Sequence, residues 1–143
     1  MTIIYTDASC DEKLNICAWA YIIKTQTGKT LIQTGHYKGR KVISGEVLAV
    51  VKALGRCKSM SGKIQVYCDP LQISEAFSNR KKSHWRKWFK KVPAWAALWA
   101  CLETYNLRLN ISCVKRTENL AHSYAKGELK RLRAQLQENH GCG

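Results

Sequence analysis

The chain has 143 residues, 45% of them hydrophobic, and 24 Lys and Arg against 10 Asp and Glu give a formal net charge of +14 at pH 7. That size and apolar content predict one domain with a real core over residues 1–143. No apolar run reaches the roughly 18 residues of a membrane span, and the chain enters a strand-like run without the shape of a signal peptide, so a soluble, monomeric, cytoplasmic protein is expected. The charge is uneven: residues 1–79 carry 10 basic and 6 acidic side chains, residues 80–143 carry 14 and 4. A clustered basic excess points to a polyanion partner, most simply nucleic acid. The seven cysteines form no C-x-x-C and mostly sit in apolar runs, which predicts reduced core thiols in a reducing compartment.

Residues 2–7 read as a buried strand and residues 16–24, rich in β-branched and aromatic side chains, as a second. Thr27-Gly28-Lys29 supplies a turn into a third strand over 30–37, completing an antiparallel meander. Ser44 suits the N-cap of a helix over about 45–57, with Val47, Leu48, Val51 and Leu54 on one face. Ser61-Gly62 breaks the chain before a fourth strand over 64–68, and Pro70 suits the first turn of a following helix. Residues 80–91 hold seven Lys or Arg in twelve positions, together with Trp85 and Trp88. Pro93 opens another helix, in which Trp95, Leu98, Trp99, Leu102 and Tyr105 recur at helical spacing and read as core. Residues 107–114 alternate apolar and polar, as a half-buried fifth strand does, and a last helix covers about 119–138. The predicted order is β-β-β-α-β-α-α-β-α.

Two of the apolar strands stop on an aspartate. Ile3-Ile4-Tyr5-Thr6 runs into Asp7, and Ile64-Gln65-Val66-Tyr67-Cys68 runs into Asp69. A carboxylate at the carboxyl end of a buried strand faces the crevice where α/β sheets bind ligands. If the strands are parallel neighbours their carboxylates meet, and like charges repel there unless a cation lies between them. Glu46 adds a third carboxylate, opening a helix beside its apolar stripe. One strand-terminal Asp alone is most simply a cap or turn residue; three acids that can converge read as a divalent-metal site. Glu75, Glu103, Glu128 and Glu138 read as solvated helix positions, and Asp11, Glu12 and Glu118 as loop residues.

Ile4-Tyr5-Thr6-Asp7-Ala8-Ser9-Cys10 resembles the first-strand signature of type 1 ribonucleases H. The segment from Glu46 to Leu54 resembles their glutamate helix, Val66-Tyr67-Cys68-Asp69 their fourth strand, and Glu118-Asn119-Leu120-Ala121-His122-Ser123-Tyr124-Ala125 the opening of their last helix. The resemblance implies an α/β ribonuclease H-like fold, with a five-stranded mixed sheet of order 3-2-1-4-5 flanked by helices. It also implies hydrolysis of the RNA strand of RNA–DNA hybrids with two Mg²⁺ or Mn²⁺ ions. Asp7 would bridge both metals, Glu46 would hold one, and Asp69 would ligate the one that activates water. His122 stands where the family usually has a fourth acidic ligand. The basic segment 80–91 resembles the family's substrate-binding handle, with Lys81, Lys82, Arg86 and Lys87 on phosphates and the rings of Trp85 and Trp88 on sugars.

The sequence departs from that pattern elsewhere. The segment from Val114 to His122 has no counterpart of the family's mobile catalytic histidine, and His36, His84 and His140 lie elsewhere in the chain. Val42 and Ile43 stand where asparagines often read 2′-hydroxyls, Ala8 replaces a glycine, and Pro70 replaces a serine. A metal-dependent ribonuclease H is therefore the first reading. A nucleic-acid-binding relative with weak or altered, DNA-directed cleavage is the alternative.

Overall fold

A computed structural model describes residues 1–141. Its strands are β1 (Thr2–Asp11), β2 (Ile16–Lys24), β3 (Thr30–Lys38), β4 (Ile64–Cys68) and β5 (Leu109–Cys113). Its helices are α1 (Val42–Arg56), α2 (Leu71–Ser78), α3 (Lys82–Lys91), α4 (Ala94–Tyr105) and α5 (His122–Gly141). The five strands form one mixed sheet of order β3-β2-β1-β4-β5, antiparallel across β1–β2–β3 and parallel across β1–β4–β5. Among the described residues, no helix is long and apolar enough to cross a membrane.

β2 is apolar on both faces because both are covered. Trp19, Tyr21 and Ile23 point into the main core with Val47, Val50, Leu54, Val66, Leu98 and Ile111. Ala18 and Ala20 point to the opposite face, where Leu129 and Leu132 pack on Ala18, and Ala121 and Ala125 pack on Ala20. Small side chains on both partners let α5 lie close to the sheet. The Tyr105 hydroxyl donates to the Leu54 carbonyl and ties α4 to α1.

Several sequence expectations change. α1 begins at Val42, and Lys41 takes the cap position without a side-chain hydrogen bond, so Ser44 lies inside the first turn. Cys10 and Cys17 are not reduced core thiols. They face each other in the β1–β2 register and are joined as a disulfide, because the antiparallel pairing puts their Cα atoms 4.0 Å apart. Cys57 and Cys68 are buried free thiols, Cys113 is exposed, and Cys142 lies outside the described residues. Glu128 is not solvated: its carboxylate accepts from Thr34 at 2.8 Å and pairs with Arg131, closing α5 onto β3. Asp11 is the last residue of β1, where it pairs with Arg133 at 2.8 Å.

Candidate active site

Asp7 does not end its strand; it stands where β1 changes partners. Parallel pairing with β4 stops at Thr6↔Cys68, whereas antiparallel pairing with β2 continues to Asp11↔Ile16. The crevice opens at that divergence, beyond the carboxyl end of β4, and Asp69 is the first residue past that strand. Asp7 is 1% exposed, and the Asp69 side chain is 24% exposed.

α1 delivers the third acid by packing close to β1. Gly45 makes this possible, since a Cβ there would lie 2.9 Å from the Ala8 Cβ and 3.2 Å from the Tyr37 hydroxyl. Glu46 is buried, and its Oε1 accepts from the Ala8 N–H at 3.2 Å. Its Oε2 is buried without a hydrogen-bond partner. Burial first, then the negative charge of Asp7, pushes the Glu46 carboxyl up to about 10; Asp69 adds to the rise and the Ala8 N–H opposes it. Without a cation, Glu46 therefore carries its proton at neutral pH.

His122 opens α5 and reaches the same point, with Nδ1 2.7 Å from Asp7 Oδ2. An ionised carboxylate only accepts, so Nδ1–H donates and a neutral ring keeps its Nε2 lone pair. Asn119 lies before the helix, where it is buried. It donates to the Thr6 carbonyl at 2.9 Å and accepts from the Ala121 N–H at 3.1 Å. The start of α5 is thereby pinned to β1 beside Asp7.

Asp7, Glu46, Asp69 and His122 line one cleft of about 270 Å³, together with Cys10, Val42, Arg116 and Lys126. A hollow continuing from it is walled by Val42, Ile43, Pro70 and Gln72. Among the described residues, no three His, Cys, Asp or Glu side chains stand close enough together to hold a metal ion as they are placed. The donor set still fits Mg²⁺ or Mn²⁺. These hard ions are held by a few carboxylates, and Mg²⁺ keeps several waters, so an all-protein cage is not required. The partnerless Glu46 Oε2 is the kind of atom such an ion satisfies.

The basic segment splits into two faces. Lys81, Lys82, Arg86 and Lys87 are exposed, and among the described residues no cation of 80–91 is paired with a carboxylate. Trp85 does not join them. It is fully buried, its indole N–H donates to the Ala76 and Asn79 carbonyls at 3.2 Å, and its ring packs on Trp88, Trp95 and Trp99. Trp85 is the core of this segment and cannot stack on a substrate. Trp88 is half-buried against Trp85 and Trp95. Sequence reasoning missed Arg116 and the Ala8 N–H, which bear no signal beyond a loop cation and a small residue after Asp7.

No protein-family model and no curated protein sequence matches this chain. Solved structures do. The foamy viral protease–reverse transcriptase in complex with RNA/DNA hybrid is 15% identical, with a TM-score of 0.72, over 88% of this chain and 19% of that one. This chain thus spans about a fifth of the viral protein. The N-terminal RNase H domain of a Mycobacterium tuberculosis protein is 15% identical, with a TM-score of 0.70, over 92% and 97% of the two chains. LC11-RNase H1 in complex with RNA/DNA hybrid is 15% identical, with a TM-score of 0.66, over 84% and 89%. The strand order and these likenesses show that the chain has an α/β fold of the ribonuclease H type. It is the fold of the solved RNase H1 structures that it resembles.

Proposed function

We propose that this chain is a metal-dependent nuclease that hydrolyses the RNA strand of RNA–DNA hybrids. One observation carries the reading: Asp7, Glu46 and Asp69 come from three elements to one cleft of a +14 protein, with Glu46 Oε2 buried and partnerless. A pure binder of polyanions has no use for three acids there, because they repel the phosphates. Two Mg²⁺ or Mn²⁺ ions held by Asp7, Glu46, Asp69 and His122 would activate water and stabilise the leaving oxygen of an in-line displacement. The chain's own residues prepare the site. His122 holds Asp7 in one orientation through Nδ1. The Ala8 N–H fixes Oε1 of Glu46, leaving the buried Oε2 without a partner in the wall of the cleft. Glu46 would have to lose its proton to hold an ion, so metal affinity should rise with pH. The unpaired cations of 80–91 hold the backbone of the hybrid.

The hollow beside the acids supports the second reading. Val42, Ile43 and Pro70 offer no side-chain hydrogen bond to a 2′-hydroxyl, so on that part of the wall only Gln72 and Arg116 could tell RNA from DNA. One assay separates the two. Labelled RNA–DNA hybrid, double-stranded RNA and double-stranded DNA are incubated with Mg²⁺, Mn²⁺ or chelator. Metal-dependent cutting of the RNA strand alone is expected. Equal cutting of double-stranded DNA favours the second reading, and cutting in chelator sinks both.

A further inference from the structure

We propose that Arg116 is a ligand for a phosphate of the cleaved strand, and that without substrate its guanidinium holds the cation position beside Asp69. The proposal rests on the nuclease reading and adds a residue to it.

Arg116 opens a short turn, Arg116–Glu118, between β5 and α5. The turn is fixed from both sides. Val114 N–H donates to the Cys68 carbonyl at 2.9 Å, at the end of β4. Glu118 N–H donates to Lys115 at 2.9 Å, Asn119 N–H donates to Arg116 at 3.2 Å, and the Asn119 side chain is bonded to Thr6. The backbone of Arg116 is therefore anchored over the carboxyl end of β4 and the point on β1, Thr6, where the two strands part and the acids gather.

Its Nε lies 3.7 Å from Asp69 Oδ2, an ion-pair distance too long for a hydrogen bond. The Arg116 side chain is 71% exposed, so its donors are not consumed by the protein. It lines both the acidic cleft and the hollow beside it. A planar fork of N–H donors matches the oxygens of a phosphate, and a cation is needed where a polyanion must approach carboxylates. Lys126 also lines the cleft, but it offers a point charge and makes no ion pair with Asp69. An exposed pair of this length contributes little to stability. A purely structural Arg116 would therefore leave almost no trace when removed.

A guanidinium and a metal ion compete for the same carboxylate, whereas guanidinium and metal cooperate once a phosphate is bound. Removing Arg116 should thus move two quantities in opposite directions. The test uses the full chain as wild type, Arg116→Ala, Arg116→Lys and Asp69→Asn. Mn²⁺ is titrated by calorimetry without nucleic acid, and hydrolysis of a labelled RNA–DNA hybrid is measured at saturating Mn²⁺. Arg116→Ala should bind Mn²⁺ about two- to fivefold more tightly, the effect of deleting one exposed charge partner. Its kcat/KM should fall about tenfold or more, the loss of a charge-assisted hydrogen bond. Arg116→Lys should bind Mn²⁺ like the wild type yet recover only part of the hydrolysis, and it carries the test should Arg116→Ala fail to fold. Arg116→Ala with unchanged or weaker Mn²⁺ binding, or with wild-type hydrolysis, overturns the proposal. Asp69→Asn keeps the two claims apart. If it is inactive while Arg116→Ala cuts normally, only the Arg116 role is lost; if it still cuts, the metal-ligand reading itself fails.

Discussion

Glu46→Gln should make the metal-free protein more stable and inactive at once. The Glu46 carboxyl is raised from its ordinary 4.5 to about 10, chiefly by burial and then by Asp7. Between those values the folded state keeps a proton that the unfolded chain releases. The folded state binds the greater number of protons, so stability falls as pH rises through that window. It is highest below the unfolded value and levels off only above the folded one. At about 1.4 kcal/mol per pH unit, the loss between pH 5 and pH 7 comes to roughly 2–3 kcal/mol. Glutamine has the same shape, keeps an oxygen for the Ala8 N–H and does not titrate, so the variant escapes this loss. For a chain of this size that is about 5–10 °C in Tm. The assay is thermal melting of both proteins in chelator from pH 5 to pH 8, with hybrid cleavage followed in parallel. The excess Tm of Glu46→Gln should be small at pH 5 and widen steadily toward pH 8. The two proteins differ by a single ionisable group, at residue 46, so taking the difference cancels the contribution of all the other charges. A difference that does not change with pH, or a wild type that is the more stable at pH 8, would refute the reasoning.

His122→Asp should shift metal preference from Mn²⁺ toward Mg²⁺, since it replaces a softer imidazole donor by a carboxylate, and His122→Ala should lower activity without abolishing it. Superimposable metal titrations of all three proteins would reduce His122 to a helix-start residue. Neutralising Lys81, Lys82, Arg86 and Lys87 together should weaken hybrid binding and lower its salt slope by roughly 0.7–0.9 for each phosphate no longer neutralised, with the rate at saturating hybrid unchanged. An unaltered slope would make these cations a solvated face. Trp85→Ala should cost about 3–5 kcal/mol in chemical denaturation, and Trp88→Ala clearly less, because only Trp85 is fully enclosed. Equal costs for the two would contradict the packing.

What the sequence discloses, and what it hides, follows from the cost of placing each residue. A carboxylate beside the apolar stripe of a helix, or at the end of an apolar strand, is expensive to bury, so its presence carries information. That is why Asp7, Glu46 and Asp69 stand out without any geometry, whereas the sheet order is legible only through the resemblance of the segments bearing them to the type 1 ribonucleases H. Trp85 is misread as a substrate ring because its neighbours are charged. α3 turns its cations outward and one ring inward, and a count of basic residues cannot separate two faces of one helix. The Cys10–Cys17 bond needs the β1–β2 register, which is tertiary information. Glu128 needs Thr34 from across the fold and Arg131 one turn on. Arg116 is the hardest to see, for the opposite reason to Glu46. An exposed arginine in a loop costs nothing and fits almost any protein. Only the pinning of its turn by Cys68 and Thr6, remote in sequence, turns that cheap charge toward three costly ones.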